Sequence, residues 1–301
     1  MRICLILEGC YPYIFGGVST WMHQYINEMK EHEFVLWVIG ANAKDKGKFV
    51  YELPKNVVEV HEVFLDDALR LKDSGKMLHA FTEEETNSLK ELMLCRRPNW
   101  EILFRLYHDQ KLNPMSFLRS EEFLNILTEC CIKDYPYTPF ADAFHTMRSM
   151  LLPVLYLMGS EVPKADVYHA ICTGYGGLLA CLGGHVYKKK VLLTEHGIYT
   201  REREEEIIRA KWVQPAFKKQ WIYHLCIHPS DVDELFAAYD RMAVFAGKDG
   251  GDQYDTAVDW AAKAEFDQYR RGDHSRYDLQ FSAIYGIANL QFPHQDSAGY
   301  L

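Results

Sequence analysis

A short apolar run at the start of the chain leads through a glycine-containing loop into an amphipathic segment. Residues 3–7 are continuously apolar, which predicts a strand buried on both faces. An amphipathic helix is predicted from Val18, and Gly16 and Gly17 stand directly before it. This order favours an anion-binding site, because glycines let a ligand approach the backbone and the helix dipole attracts negative charge. A tight turn without a ligand is the alternative for this glycine pair.

The alternation of strand, loop and helix continues along the chain. Residues 33–39 form a second apolar run, and residues 57–64 partly alternate between apolar and polar positions, which predicts a strand near a sheet edge. Two more strands are predicted at residues 166–171 and 190–194, with a helix at residues 178–187 between them. Such an alternation predicts an α/β fold with a Rossmann-like parallel sheet and right-handed crossovers.

Between the third and fourth predicted strands the pattern changes to that of helices. We predict helices at residues 81–95, 121–131 and 141–156, within a helical insertion that covers about residues 67–160. The first of them begins with an acidic turn, which is typical of a helix N-terminus. The aromatic residues of the insertion are expected in the core. They are Trp100, Phe104, Tyr107, Phe117 and Phe123.

The last part of the chain is less periodic. It contains many charged and small residues, and weak helices at residues 230–239 and 257–266 are its only predicted elements. We therefore divide the chain into a Rossmann-like domain at residues 1–221 and an irregular tail at residues 222–301, whose fold the sequence does not predict.

Composition and charge narrow the class of protein. The chain is 48% hydrophobic and 25% charged, as globular proteins are, and its formal net charge of −9 predicts no nucleic-acid partner. The apolar runs are too short to span a membrane, and the N-terminus lacks a signal-peptide pattern, so we expect a cytoplasmic protein. The eight cysteines form no CxxC pair and are expected as buried thiols, without a metal site.

Three predicted loops follow strands, at residues 8–17, 173–177 and 195–199. In an open parallel sheet the ligand crevice lies outside the carboxyl ends of the strands, so these loops are expected to converge on one site. Gly174 and Gly176 in the second loop are candidates for ligand binding. A tight turn with close strand–helix packing is the alternative for them.

Several side chains near these loops are candidates for chemistry. His196 is expected either as a hydrogen-bond donor or general base that faces a substrate, or as a structural histidine. His169, inside a strand, is interpreted as structural. Glu8 is expected either to orient its loop or to accept hydrogen bonds from sugar hydroxyls. Arg201 is expected either to contact a phosphate or to lie on a solvated helix face.

Three stretches resemble one family of enzymes: EGCYPYIFGGVSTWMHQYI at residues 8–26, DVYHAICTGYGGLLA at residues 166–180 and LLTEHGIYTREREEEI at residues 192–207. They are similar to the N-terminal half of PelF-type glycosyltransferases, within glycosyltransferase family 4, over about residues 1–221. The resemblance implies a GT-B fold, in which two Rossmann-like domains face each other across the catalytic cleft. It also implies a retaining, metal-independent hexosyltransferase that moves a sugar from a UDP-sugar to a growing polysaccharide.

The resemblance also implies roles for individual positions. Gly16 and Gly17 correspond to the glycine loop that faces the diphosphate of the donor, and Gly174 and Gly176 are further donor-binding candidates. His196 corresponds to the catalytic residue near the transferred sugar. The candidates for substrate binding are Glu8, Glu195, Tyr199 and Arg201.

The expected partners are a nucleotide-sugar and a glycan acceptor, and the resemblance adds inner-membrane polysaccharide-export subunits. No cofactor is expected beside the donor UDP-sugar. The second domain of a GT-B enzyme is not evident in residues 222–301, so we interpret this tail as truncated or as sequence not native to the family. The alternative function is a non-catalytic module that binds an acceptor glycan or a partner protein.

Overall fold

The computed structural model describes residues 1–73, 75, 79–194, 196, 204, 206–224 and 243–244. Six strands form one sheet, in which every neighbouring pair is parallel. In chain order they are β1 (Arg2–Glu8), β2 (Glu33–Gly40), β3 (Val57–Phe64), β4 (Val167–Ala170), β5 (Lys190–Leu193) and β6 (Ala243–Val244). Their spatial order is β3-β2-β1-β4-β5-β6, which confirms the predicted α/β class with a Rossmann-like parallel sheet.

The centre of the sheet is built from the two most apolar strands. Residues 3–7 of β1 and 34–39 of β2 are buried, because strands covered by helices on both faces have no solvent side. Leu5 pairs with Leu36 on one side and with His169 on the other. β3 lies at the edge of the sheet, as its partly alternating sequence predicts.

The helix α1 (Gly17–Glu28) covers one face of the sheet. Its Met22 and Ile26 are fully buried against β1 and β2. The helix begins at Gly17, one residue before the predicted Val18, and ends at Glu28, because Met29 leaves the helical conformation.

A glycine-rich helix, α7 (Tyr175–Tyr187), covers the opposite face and lies close to the sheet. A side chain at Gly183 would overlap the ring of Tyr168, so only glycine permits this approach. The helix begins at Tyr175 rather than at the predicted residue 178, and Gly176 and Gly177 therefore belong to its first turn. Packing against the sheet compensates for the low helix propensity of these glycines.

The predicted helical insertion packs on the α7 side of the sheet. Its helices are α2 (Glu83–Met93), α3 (Trp100–Phe104), α4 (Pro114–Phe117), α5 (Glu121–Asp134) and α6 (Phe140–Met158). A capping box starts α2, since Thr82 and Glu85 each accept a hydrogen bond from the backbone of the other. All five aromatic residues predicted in the core are buried. Among the helices that the structure describes, none has the length and apolar character needed to cross a lipid bilayer.

Part of the predicted tail joins the domain. The short helix α8 (Lys218–Tyr223) runs past residue 221, and the buried His224 donates a hydrogen bond from Nε2 to the carbonyl oxygen of Met150 at 2.8 Å. Further along, β6 pairs with β5. Tertiary contacts rather than a local period determine these elements, which is why the sequence predicts an irregular segment instead. The two weak helices predicted for the tail lie outside the described residues.

Candidate functional site

The strand order reverses between β1 and β4, and this reversal defines the candidate site. The chain leaves β1 towards α1 on one face of the sheet and leaves β4 towards α7 on the other. In an open parallel sheet a crevice forms at such a point, outside the carboxyl ends of the strands. Since β1, β4 and β5 are neighbours, the ends of the strands that precede the three predicted loops lie side by side.

The N-terminus of α1 is open beside this crevice. Gly16 is the N-cap residue, and no side chain among the described residues caps the helix. A Cβ at Gly16 or Gly17 would meet no atom within 4 Å, and neither glycine has its φ in the left-handed region that favours glycine. Neither packing nor backbone conformation therefore requires glycine at these positions. Their effect is to leave the backbone N–H groups of the first turn accessible to an anion.

The N-terminus of α7 holds a carboxylate from the chain itself. Glu8, at the end of β1, accepts a hydrogen bond from the Gly176 N–H at 3.2 Å, and the Cys172 sulfur lies 3.8 Å from the same oxygen. The helix dipole favours a negative charge at this position. Glu8 thus ties the end of β1 to the start of α7, which fits the alternative in which it orients its loop.

Backbone conformation and packing explain why glycine stands at the two positions near α7 that were predicted to bind a ligand. Gly174 has a φ of 74°, which other residues rarely adopt, and a Cβ at Gly176 would lie 2.9 Å from Cys172 Sγ. Because Glu8 also takes the Gly176 N–H, this segment fits the alternative of a tight turn with close packing. A role of Gly174 and Gly176 in donor binding stays a prediction.

His196 lies beside the first turns of α1. Its imidazole packs edge-on against Trp21 with ring centroids 4.6 Å apart, and Trp21 follows Gly17 by about one helical turn. Part of the histidine stays exposed, but the packing removes water from the ring and lowers the pKa of His196 below its ordinary value. The shift favours the neutral ring, whose unprotonated nitrogen accepts a hydrogen bond, as a general base must, while the other nitrogen donates one.

His169 lies deeper, next to the aromatic residues of α1. Its Nε2 shares a hydrogen bond with Thr194 Oγ1 at 2.9 Å, and its ring centroid lies 5.9 Å from that of Tyr25, which stacks on Trp21. The side chain is fully buried, and burial together with the nearby His196 lowers the pKa of His169 to about 3. His169 therefore connects the ends of β4 and β5 in its neutral form, in the position of a structural histidine.

The aromatic residues of the site were missed by sequence reasoning. Trp21 and Tyr25 are four residues apart on a predicted helix, and this spacing, which places them on one face, was the available signal. Tyr51 also contacts this region, but it belongs to the connection between β2 and β3, and no local pattern links it to α1.

Three of the predicted substrate-binding residues, Glu195, Tyr199 and Arg201, lie outside the described residues. The roles that the resemblance implies for them stay predictions.

The described residues offer neither an evident metal site nor an activated thiol at the loop after β1. Within them, no three His, Cys, Asp or Glu side chains are grouped so that they would hold a metal ion. Burial raises the pKa of the Cys10 thiol to about 11, so this thiol stays protonated at pH 7 and is a poor nucleophile. Among the described residues of this crevice, the backbone N–H groups at the start of α1 and the side chain of His196 are therefore the candidates for ligand contact.

Comparison with known proteins places the candidate site within a protein family. The family model described as "Domain of unknown function (DUF3492)" matches residues 1–230, which include α1, α7 and His196. Comparison with curated proteins and comparison with solved structures each give no match.

Proposed function

The chain belongs to the DUF3492 family, a domain of unknown function, and from its site we propose that it transfers a sugar from a UDP-sugar to a growing polysaccharide. The three stretches that resemble PelF-type glycosyltransferases support this substrate class. The parallel α/β sheet is compatible with the Rossmann-like domain that such enzymes contain.

The open N-terminus of α1 is the observation that carries this proposal. A diphosphate presents several anionic oxygens, and the first-turn N–H groups and the dipole of α1 offer it a positive potential. Gly16 and Gly17 let those oxygens reach the backbone. Neither packing nor a left-handed φ requires glycine at either position. When the bond between sugar and phosphate breaks, the same groups stabilise the charge that develops on the leaving diphosphate.

His196 is the side chain proposed to contact the transferred sugar. Its neutral ring, held against Trp21, is able to share a hydrogen bond with a sugar hydroxyl next to the diphosphate. The scheme needs no side-chain nucleophile, because stabilisation of the leaving group supplies the catalytic effect. The resemblance extends the proposal to a retaining, metal-independent reaction in the cytoplasm, with membrane export subunits as partners.

Calorimetric titration of the full chain with UDP and UDP-glucose tests the diphosphate site. Gly17→Ala adds a methyl group where the anion is proposed to approach, and it is expected to weaken binding about tenfold. Gly177→Ala is the matched control, because it lies in the first turn of α7 and its Cβ would make only an ordinary contact of 3.8 Å with the Cys172 carbonyl. Its binding should equal that of the wild type. Absence of UDP binding, or equal weakening in both variants, would refute the site.

Release of UDP in the presence of an acceptor glycan distinguishes an enzyme from a binding module. We expect the wild type to release UDP and His196→Ala to bind UDP normally but release it about tenfold more slowly, because the hydrogen bond to the transferred sugar is lost. Glycan binding without any nucleotide affinity would instead support the alternative of a non-catalytic module.

A further inference from the structure

Two large apolar side chains are exposed at the rim of the candidate site. Ile14 is 58% exposed and Phe15 is 69% exposed, and Phe15 directly precedes Gly16. Single exposed apolar residues are ordinary on protein surfaces, but aromatic rings at a ligand crevice commonly contribute to binding. The ring of Phe15 also packs against that of Tyr51, with the centroids 4.9 Å apart and the ring planes tilted by 52°.

The ring of Tyr51 packs against a cluster of aromatic side chains. Its centroid lies 5.0 Å from that of Tyr11 and 5.2 Å from that of His23. Tyr11 is fully buried, and its hydroxyl shares a hydrogen bond with His23 Nδ1 at 3.2 Å. Tyr51 is therefore preorganised, and binding on its ring costs little side-chain entropy.

Polar groups border this pair on the side of α1. The Tyr51 hydroxyl lies 3.4 Å from Thr20 Oγ1, and Thr20 is exposed on the first turn of α1. An apolar ring surface bordered by hydroxyl groups matches a pyranose, whose C–H bonds form an apolar face and whose hydroxyls lie at its edge.

We propose that Phe15 and Tyr51 form a stacking platform for a pyranose ring of a glycan chain, beside the diphosphate site. This inference rests on the proposed function. A growing glycan must extend into solvent, and the exposed position of Phe15 at the rim permits this. The platform of two rings is also far smaller than the roughly 800 Å² per partner that a stable protein interface buries.

Binding of oligosaccharides to the full chain tests the platform. The probe is an array of neutral hexose and N-acetylhexosamine oligosaccharides, and each ligand found on it is then titrated by calorimetry. We expect at least one oligosaccharide to bind, Phe15→Ala to weaken that binding about tenfold, and Phe15→Trp to retain it. Ile14→Ala is the matched control, because it removes the neighbouring exposed apolar side chain and leaves both rings in place.

Four outcomes overturn the platform. No binding on the array, or equal binding by wild type and Phe15→Ala, shows that the rings do not hold a glycan. Weaker UDP binding in Phe15→Ala shows that the ring holds a nucleobase, and self-association that depends on Phe15 shows a contact between copies of the chain. The proposed function fails separately, since glycan binding that depends on Phe15 without any UDP binding supports the platform and rejects the diphosphate site.

Discussion

The N-termini of α1 and α7 lie at the same edge of the sheet, but one is open and the other is filled by a carboxylate of the chain. Both helices follow a parallel strand and begin after a glycine N-cap. At α7, Glu8 accepts the Gly176 N–H, whereas no described side chain caps α1. Glycines therefore precede both helices for different reasons. Before α7 they are required by the backbone and by packing, whereas before α1 they leave the backbone N–H groups accessible.

The comparison shows how a glycine before a helix is best interpreted. Gly174 is explained by its positive φ and Gly176 by its contact with the Cys172 sulfur. Gly17 is explained by neither, because it lacks a positive φ and has open space around it. A glycine that neither conformation nor packing requires is the stronger candidate for contact with a ligand.

The largest expected effect comes from Gly183→Ala, which pushes α7 away from the sheet. The added methyl group would overlap the ring of Tyr168, and overpacking of this kind costs about 3 kcal/mol of stability. Urea denaturation measures the loss. Gly17→Ala is the control, because its methyl group meets no atom within 4 Å and alanine is the better helix former. Equal losses in both variants would contradict the difference between the two helices.

The second largest effect is a loss of stability at low pH, caused by the buried His169 next to α1. The pKa of His169 is about 3 in the folded chain against an ordinary value of 6.5, so between these values the unfolded chain binds the proton more strongly. The free energy of unfolding therefore falls as the pH drops below 6.5, by about 2 kcal/mol near pH 5. Urea denaturation at several pH values should show this component in the wild type and its absence in His169→Gln. Identical pH profiles would mean that His169 takes up its proton in the folded state.

A smaller effect is expected from Glu8→Gln, which removes the charge at the start of α7. A charged group at a helix N-terminus contributes about 1 kcal/mol, and thermal unfolding should show a loss of that size. Glu28→Gln is the matched control at the exposed last residue of α1, where the same change should alter stability by less than about 0.5 kcal/mol. An unchanged midpoint in Glu8→Gln would mean that its carboxylate does not stabilise α7.

The smallest effect is expected at His196. Trp21→Ala removes the ring that shields this histidine from water, so the pKa of His196 should rise towards its ordinary value. A titration followed by NMR of the imidazole measures the shift, and Trp21→Phe should retain most of the lowered pKa. A pKa unchanged in Trp21→Ala would show that other groups desolvate the ring.

Most of the sheet is predictable from the chain because burial leaves a direct signal. The apolar runs of β1 and β2 have no polar positions to offer solvent, and the partial alternation of β3 indicates the edge. The start of α7 is not predictable in this way, because Gly176 and Gly177 favour a loop until the sheet packs against them. The two residues of β6 depend on their pairing with β5 and carry no local signal.

The candidate site follows from the sequence in its place at the sheet edge, but its internal contacts do not. Strand ends and glycines indicate the edge of the sheet, and Gly16 and Gly17 are found there with the openness that a ligand needs. The hydrogen-bond partner of Glu8 could not be predicted from the sequence, because the Gly176 N–H lies 168 residues further along the chain. Hydrogen bonds between residues far apart in the sequence, such as this one, determine that the N-terminus of α7 is occupied and that of α1 is accessible.

The place of β4 in the sheet has a consequence for the nascent chain. β1 lies at the centre of the sheet, and its Ile3 pairs with Val167 of β4. This edge of β1 therefore has no partner strand until the whole insertion has been translated. At roughly 5–20 residues per second, the ribosome needs on the order of 10–30 s to supply β4. Meanwhile an apolar strand presents an unpaired edge, which invites association with other chains. The order of elements along the polypeptide thus adds a risk of aggregation during synthesis that the finished fold no longer carries.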